Sequence, residues 1–413
     1  MSVLWETMSG LAPLIYTLPP NHVDEYEEDS LQEPSEPGDP FGREYYMGVN
    51  RHRLESNARL ALNTRRLDHY ARFIKHVTIH NEDAYYATLH DLSIHKVSGY
   101  HLLPEVRTLD LHLDAVGGPE GIYMLLGPRV DAISVRVAKD DVGLRWTIVL
   151  FTKMFAICRN LQTLHVDFGD CHEDDICMIL DTIRAARPSL TALHLGRKYW
   201  VYSRAMGSEL IARLLRLISG TIRDFSSTLL INYVSVQSFS LFRNLQNLVI
   251  HLDENTTWYL TCPQAFSFPT LRSLEIITDF ISEKTTLFIH RIRAEHLHTL
   301  AIFLMTSLVD GYWGACPARY LNKSLSTCAF SQTLSVVAIH PRHFANDGWR
   351  PPYSIMSPLL ALPKLAALYL PRQWVADGVL ETITETRPEI QLLEHCPLHP
   401  RIFPDIPDVP VSR

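Results

Sequence analysis

No Cys-x-x-Cys pair occurs among the seven cysteines of this 413-residue chain, which stand at 158, 171, 177, 262, 316, 328 and 396. An odd number without paired spacing argues against a disulfide framework and against a zinc module, and leaves reduced, mostly buried thiols. Also missing are a Gly-x-Gly-x-x-Gly or Walker-type phosphate loop, a Gly-x-Ser-x-Gly elbow, a His-Glu-x-x-His metal motif and a kinase signature. On that ground the chain is expected to be no enzyme and to use no cofactor. Blocks of Lys and Arg are absent, spots such as Arg65-Arg66 are small, and the net charge is -7, so nucleic acid is not the expected partner. The longest apolar run, Ile148 to Ile157, is interrupted by Thr152 and Lys153 and is too short to cross a bilayer. The first residues carry no basic stretch ahead of an apolar one, so no signal peptide is read and an intracellular protein, cytoplasmic or nuclear, is expected.

What the chain does have is a repeated pattern, apolar-x-x-apolar-x-apolar. It is clear in Leu161/Leu164/Val166, Leu190/Leu193/Leu195, Leu245/Leu248/Ile250, Leu271/Leu274/Ile276, Leu297/Leu300/Ile302 and Leu365/Leu368/Leu370. Weaker copies begin at Ile74, Val106, Val130 and Leu334, and doubtful ones at Ile222 and Ile390. Successive copies lie 23 to 37 residues apart, around the upper end of the roughly 20 to 29 expected of leucine-rich repeats. Each copy makes one short strand whose alternate side chains point inward, and no single unit can bury that face, so neighbours must stack.

Helical periodicity fills the intervals, as in Asp175 to Ala186, Glu209 to Ser219, Trp146 to Cys158, Thr286 to Ile292 and Val379 to Thr386. Strand and helix in alternation imply parallel strands joined by crossovers. The expected fold is an α/β leucine-rich-repeat solenoid of about eleven to twelve irregular repeats. An open doubly wound sheet is the alternative, disfavoured by the near-identical strand signature and by the missing phosphate turn.

Four segments are expected: a helical stretch over 1–20, an acidic Pro-containing linker over 21–45, the repeats over 46–395 and a Pro-rich tail over 396–413. Between Ile302 and Leu334 the spacing is longest, and residues 303–333 read as an insertion or a long loop.

Several segments also carry a family likeness. Val3-Leu4-Trp5-Glu6 is followed by Leu11-Ala12-Pro13-Leu14-Ile15 and Leu18-Pro19. Tyr70-Ala71-Arg72-Phe73-Ile74-Lys75-His76-Val77, Leu102-Leu103-Pro104-Glu105-Val106-Arg107-Thr108-Leu109, Leu126-Gly127-Pro128 and Cys158-Arg159-Asn160-Leu161 come after it. In this order they resemble the fungal, basidiomycete-type F-box proteins with degenerate leucine-rich repeats. That family's F-box precedes the Leu-Trp segment, and here Met1 stands three residues before Leu4, so the F-box itself is expected to be missing from this chain. The resemblance implies a substrate-recognition module of a cullin-RING ubiquitin ligase. A Skp-type adaptor and a cullin would be partners where an upstream F-box exists, and Leu4, Trp5, Leu11 and Leu14 are the candidate adaptor-side segment. A repeat scaffold without any ligase link is the alternative.

Strand alternation sends the residues between the inner apolar positions to the opposite face. On that face Asp110, His112, Arg136, His165, Asp167, His194 and His251 are the candidate protein-binding residues. His165, His194 and Asp167 also raise a weaker zinc reading, adjacent strands being about 4.8 Å apart. Cys171-His172-Glu173-Asp174-Asp175 looks reactive, but its position favours Asp174 or Asp175 as a helix cap.

Overall fold

The computed structural model describes residues 6–17, 23–27, 50–54, 65–79, 89, 92–93, 101–112, 120–137, 141–169, 171–196, 208–218, 220–231, 233–252, 265–278, 283–304, 321, 324–341, 353–369 and 378–392. The chain divides into two compact units, Met1–Pro188 and Ser189–Arg413. All twelve expected repeat starts lead into a strand two residues on, or one residue on at Ile390.

In the first unit the ladder runs β1 (Thr7–Ser9), β4 (His76–Ile79), β5 (Thr108–His112), β6 (Ala132–Arg136) and β7 (Thr163–Asp167), every pair parallel. In the second it runs β8 (Ala192–Gly196), β9 (Asp224–Ile231), β10 (Asn247–Leu252), β12 (Ser273–Thr278), β14 (Thr299–Leu304), β15 (Val336–Pro341), β16 (Ala367–Tyr369) and β17 (Gln391–Leu392). A short parallel pair, β11 (Phe266–Ser267) with β13 (Ile292–Arg293), lies apart from that ladder. Within each unit the ladder strands keep sequence order, without the reversal that defines a doubly wound sheet. The fold is of the leucine-rich-repeat, α/β solenoid class.

One local device recurs in most repeats. The first apolar residue is buried and, in most copies, donates its N–H three residues back, as Val106 does to Leu103 and Leu271 to Phe268. The next two N–H groups then converge on a single carbonyl of the preceding turn: Asp131 and Ala132 on Arg107, Arg272 and Ser273 on Gln246, His298 and Thr299 on Arg272. Side chains just ahead of the repeat bind back across the turn. Asn160 Nδ2 donates to Pro128 O at 2.8 Å, Asn244 Nδ2 to Gly220 O at 2.9 Å, and Thr270 Oγ1 to Leu245 O at 2.8 Å. These bonds satisfy backbone groups that the tight turn would otherwise leave unpaired.

Inward side chains such as Leu109, Ile133, Leu164, Leu248, Leu274 and Leu300 are sealed. The helices between the strands include Asp141–Ile157, Glu173–Ala186, Ser208–Ile218, Tyr233–Phe239, Glu283–Arg291 and Val379–Thr386. Phe225 of β9 meets Phe239 with ring centroids 4.9 Å apart, an aromatic contact of the usual tilted kind.

Two expectations about the ends change. Thr7–Ser9 pairs with β4, and Leu11 and Leu14 are fully buried, so this segment closes the end of the first unit's ladder and does not present an apolar stripe for an adaptor. Burial wins here because Lys75 and His76 both donate to Glu6 O, which ties the segment to the sheet as a truncated repeat. Leu4 and Trp5 lie outside the described residues. The acidic stretch is not simply a linker: β2 (Val23–Glu27) pairs antiparallel with β3 (Asn50–Leu54), setting Asp24 opposite Arg53 and Glu25 opposite His52. The 396–413 tail and Gly311 to Gly314 of the expected insertion also fall outside the described residues.

Candidate interaction face

In the first unit, strand alternation works as simple geometry predicts. Val77, Ile79, Leu109, Leu111, Ile133, Val135, Leu164 and Val166 point inward and are buried, while the residues between them are half-buried. Register collects the outward residues into rows. Thr78, Asp110, Ser134 and His165 form one, and His112, Arg136 and Asp167 the next. Five of the seven predicted residues therefore come together here.

Charge within the rows is partly fixed. Arg136 Nε donates to Asp167 Oδ2 at 3.1 Å, and Asp167 Oδ1 accepts from Gly169 N at 3.0 Å. Gly169 has φ +49, a left-handed turn that an L side chain adopts at a cost, so the turn after β7 orients the carboxylate. His112 Nε2 stands 3.8 Å from Asp110 Oδ2, an ion pair only when the ring is protonated. His165 lies 3.5 Å from Ser134 Oγ. Burial holds its pKa below the usual histidine value, against the pull of Asp167 and Asp110 and with the help of Arg136. His76, bonded through Nδ1 to Thr108 Oγ1, extends the polar surface.

The other two predicted residues belong to the second unit. His194 is half-buried, with Nδ1 2.7 Å from Ser226 Oγ. His251 is only 6% exposed, so it is not a surface residue. Its Nδ1 donates to Thr228 O at 3.0 Å. That carbonyl is delivered by a bulge in β9: Ile250 pairs with Ser227 but His251 pairs with Leu230, leaving Thr228 and Leu229 as extra residues. Burial pushes the His251 pKa down to about 4, against the Thr228 bond, which raises it.

His251 shares its fate with its neighbours. The outward positions Val249, Ile277, Ala301, Phe303 and Ala338 form a buried apolar cluster with Tyr369 packed against it. The His340 ring lies between Phe303 and Tyr369, 5.6 Å from each centroid and stacked on the tyrosine. His251 is therefore not on an open polar face, because the outward positions of β10, β12, β14 and β15 are largely buried as well. That signal was present in runs such as Ser273-Leu-Glu-Ile-Ile-Thr278 and Thr299-Leu-Ala-Ile-Phe-Leu304, which read as doubly buried strands.

The zinc reading gains nothing. Among the described residues no group of three or more His, Cys, Asp or Glu is placed to hold a metal ion, and His165 and His194 lie in different units. In the Cys171–Asp175 string, His172 is the N-cap of the helix Glu173–Ala186 and donates its N–H to Asp175 Oδ2 at 3.2 Å. Asp175 thus acts from the third helical position, one half of a capping box, and is not itself the cap. The thiols are subdued by burial, Cys158 pushed up to about 11 and Cys328 to about 12. No described helix is long and apolar enough to cross a membrane.

No protein-family model and no curated protein matches the sequence. Solved structures do match. The yeast Rad7–Elc1 complex contains a chain 15% identical, with 84% of this chain and 86% of that one covered and a TM-score of 0.42. A Leptospira interrogans LRR protein is 11% identical over 71% of this chain and 91% of its own, with a TM-score of 0.20.

Proposed function

We propose that this protein is a non-enzymatic interaction module whose first unit binds another protein through the rows carrying Asp110, His112, Ser134, Arg136, His165 and Asp167. The observation that carries this reading is that a half-exposed polar face of mixed sign is built on a rigid parallel ladder. Such a surface needs little ordering on binding, and three or four repeats supply an interface of about 800 Å² per partner. Carboxylates, a guanidinium and imidazoles side by side select a partner through complementary polar groups and not through apolar area.

The finer reading is that the module selects proteins for a cullin-RING ligase inside the cell. It rests on the sequence resemblance and assigns the partner to the repeats, since Leu11 and Leu14 are occupied in the core. Affinity purification of this chain, and of any longer in-frame form, tests it by probing for a Skp-type adaptor and a cullin. Capture of both supports the ligase assignment, and their absence from every form reduces the protein to a repeat scaffold. In parallel, Asp110→Lys with Arg136→Glu should remove at least tenfold of the recovery of any specific partner. Unchanged recovery would move the interface elsewhere.

A further inference from the structure

The sequence has no basic block, yet the second unit assembles one from distant positions. Arg223, Gln246, Arg272 and His298 occupy the same place in four successive repeats, at the edge where each strand begins. Their backbones are linked in series: Gln246 N donates to Arg223 O at 2.7 Å, Arg272 N to Gln246 O at 2.8 Å, and His298 N to Arg272 O at 2.9 Å. Arg223, Arg272 and His298 are exposed. Arg243 is exposed three residues before Gln246, and its carbonyl accepts from Thr270 Oγ1 at 3.0 Å, which holds it beside the row. Among the described residues, the side chains of Arg223, Arg243 and Arg272 make no hydrogen bond or ion pair. Of the nearby acids among the described residues, Asp224 is half-buried and accepts from Asn247 Nδ2, and Glu295 is exposed.

The equivalent row in the first unit is neutralised. It reads Glu6, Lys75, Arg107, Asp131, Gln162, again linked backbone to backbone, and Lys75 Nζ is 2.8 Å from Glu6 Oε1. Arg129 on that edge pairs with Glu105. The same scaffold thus carries both signs in the row of one unit and no acidic residue in the row of the other.

We infer that the strand-start edge of the second unit, Arg223, Arg243, Arg272 and His298, is a docking strip for an acidic protein segment, an extended stretch rich in Asp and Glu. Three inter-strand steps of about 4.8 Å span about 14 Å, the length of roughly four extended residues. A guanidinium every second strand matches carboxylates on alternate residues of such a stretch, since side chains on one face recur about every 6.8 Å and arginine side chains reach further than the difference. Nucleic acid fits less well. Three arginines and a histidine fall short of the roughly six to ten phosphate contacts of a backbone-gripping protein. The strip does not depend on the face proposed for the first unit.

The test uses the full chain, a fluorescein-labelled (Glu-Asp)5 peptide and a labelled dT10 oligonucleotide, with anisotropy read at low and high salt. R223Q/R243Q/R272Q should weaken peptide binding about tenfold, several exposed charge pairs acting together. R223K/R243K/R272K should stay within about threefold, and R107Q/R159Q in the first unit within about twofold. All three variants should melt within a few degrees of the parent. No peptide binding, or equal binding by the Gln variant, overturns the strip. Tighter binding of dT10 that the Gln variant abolishes would also overturn it, making the edge a nucleic-acid surface.

Discussion

The two units share one inward pattern and differ in everything it leaves unspecified. In β4 to β7 the outward residues are mainly Thr, Asp, Ser, Arg and His and are half-exposed, whereas in β10 to β15 they include Val249, Ile277, Ala301, Phe303 and Ala338, which are buried. The inner leucines decide that a repeat forms, because only stacking removes them from water. The outward residues decide whether the second face is a surface or a second core. A repeat architecture is therefore not evidence that all of its open side is available to partners.

The largest effect should come from placing a charge on the closed face. Ile277→Asp, at a fully buried position, should cost about 4 kcal/mol or more, whereas Ser134→Asp on the first unit should stay within about 1 kcal/mol by denaturant melts. Equal losses would mean the two faces are alike. Inward truncations should not distinguish the units: Leu164→Ala and Leu274→Ala, both sealed, should each cost about 2–5 kcal/mol.

The buried histidine sharpens the comparison through pH. With its folded pKa depressed to about 4 against about 6.5 unfolded, His251 stays neutral in the native state while the unfolded chain takes up a proton. Its stabilisation is complete above about pH 6.5 and is lost as pH falls towards 4, on the order of 3 kcal/mol in all. His251→Asn should flatten that part of the pH–stability curve, and an unchanged slope between pH 6.5 and 4.5 would contradict its burial. The smallest effect is expected at the first unit's ion pair. Asp167→Asn should cost about 1 kcal/mol, because the Arg136 bond and the Gly169 N–H are partly replaceable by water.

Much of this was legible in the residues. The apolar triplets located twelve strands, including those after Ile222 and Ile390 whose patterns were weakest. The strand at Thr7–Ser9 was not, because Gly10 stands where its neighbour β4 places Ile79 and only Met8 keeps the inward signal. Asp110, His112, Arg136, His165 and Asp167 were recoverable as one patch because parallel register follows directly from the repeat. His251 was not, since its burial depends on a two-residue bulge in β9 and on apolar neighbours outside the repeat signature. The arginine strip was hidden for a related reason: its members are tens of residues apart, and only the carbonyl that accepts two N–H groups in each turn brings them level.

The most direct test is a photo-crosslinking amino acid placed singly at Ser134 or at Ala338 of the full chain in its own cells. The account predicts a specific adduct from Ser134, competed by unlabelled parent protein, and none from Ala338. An adduct from Ala338 with none from Ser134 would contradict it, placing the interaction on the face that the second unit keeps closed.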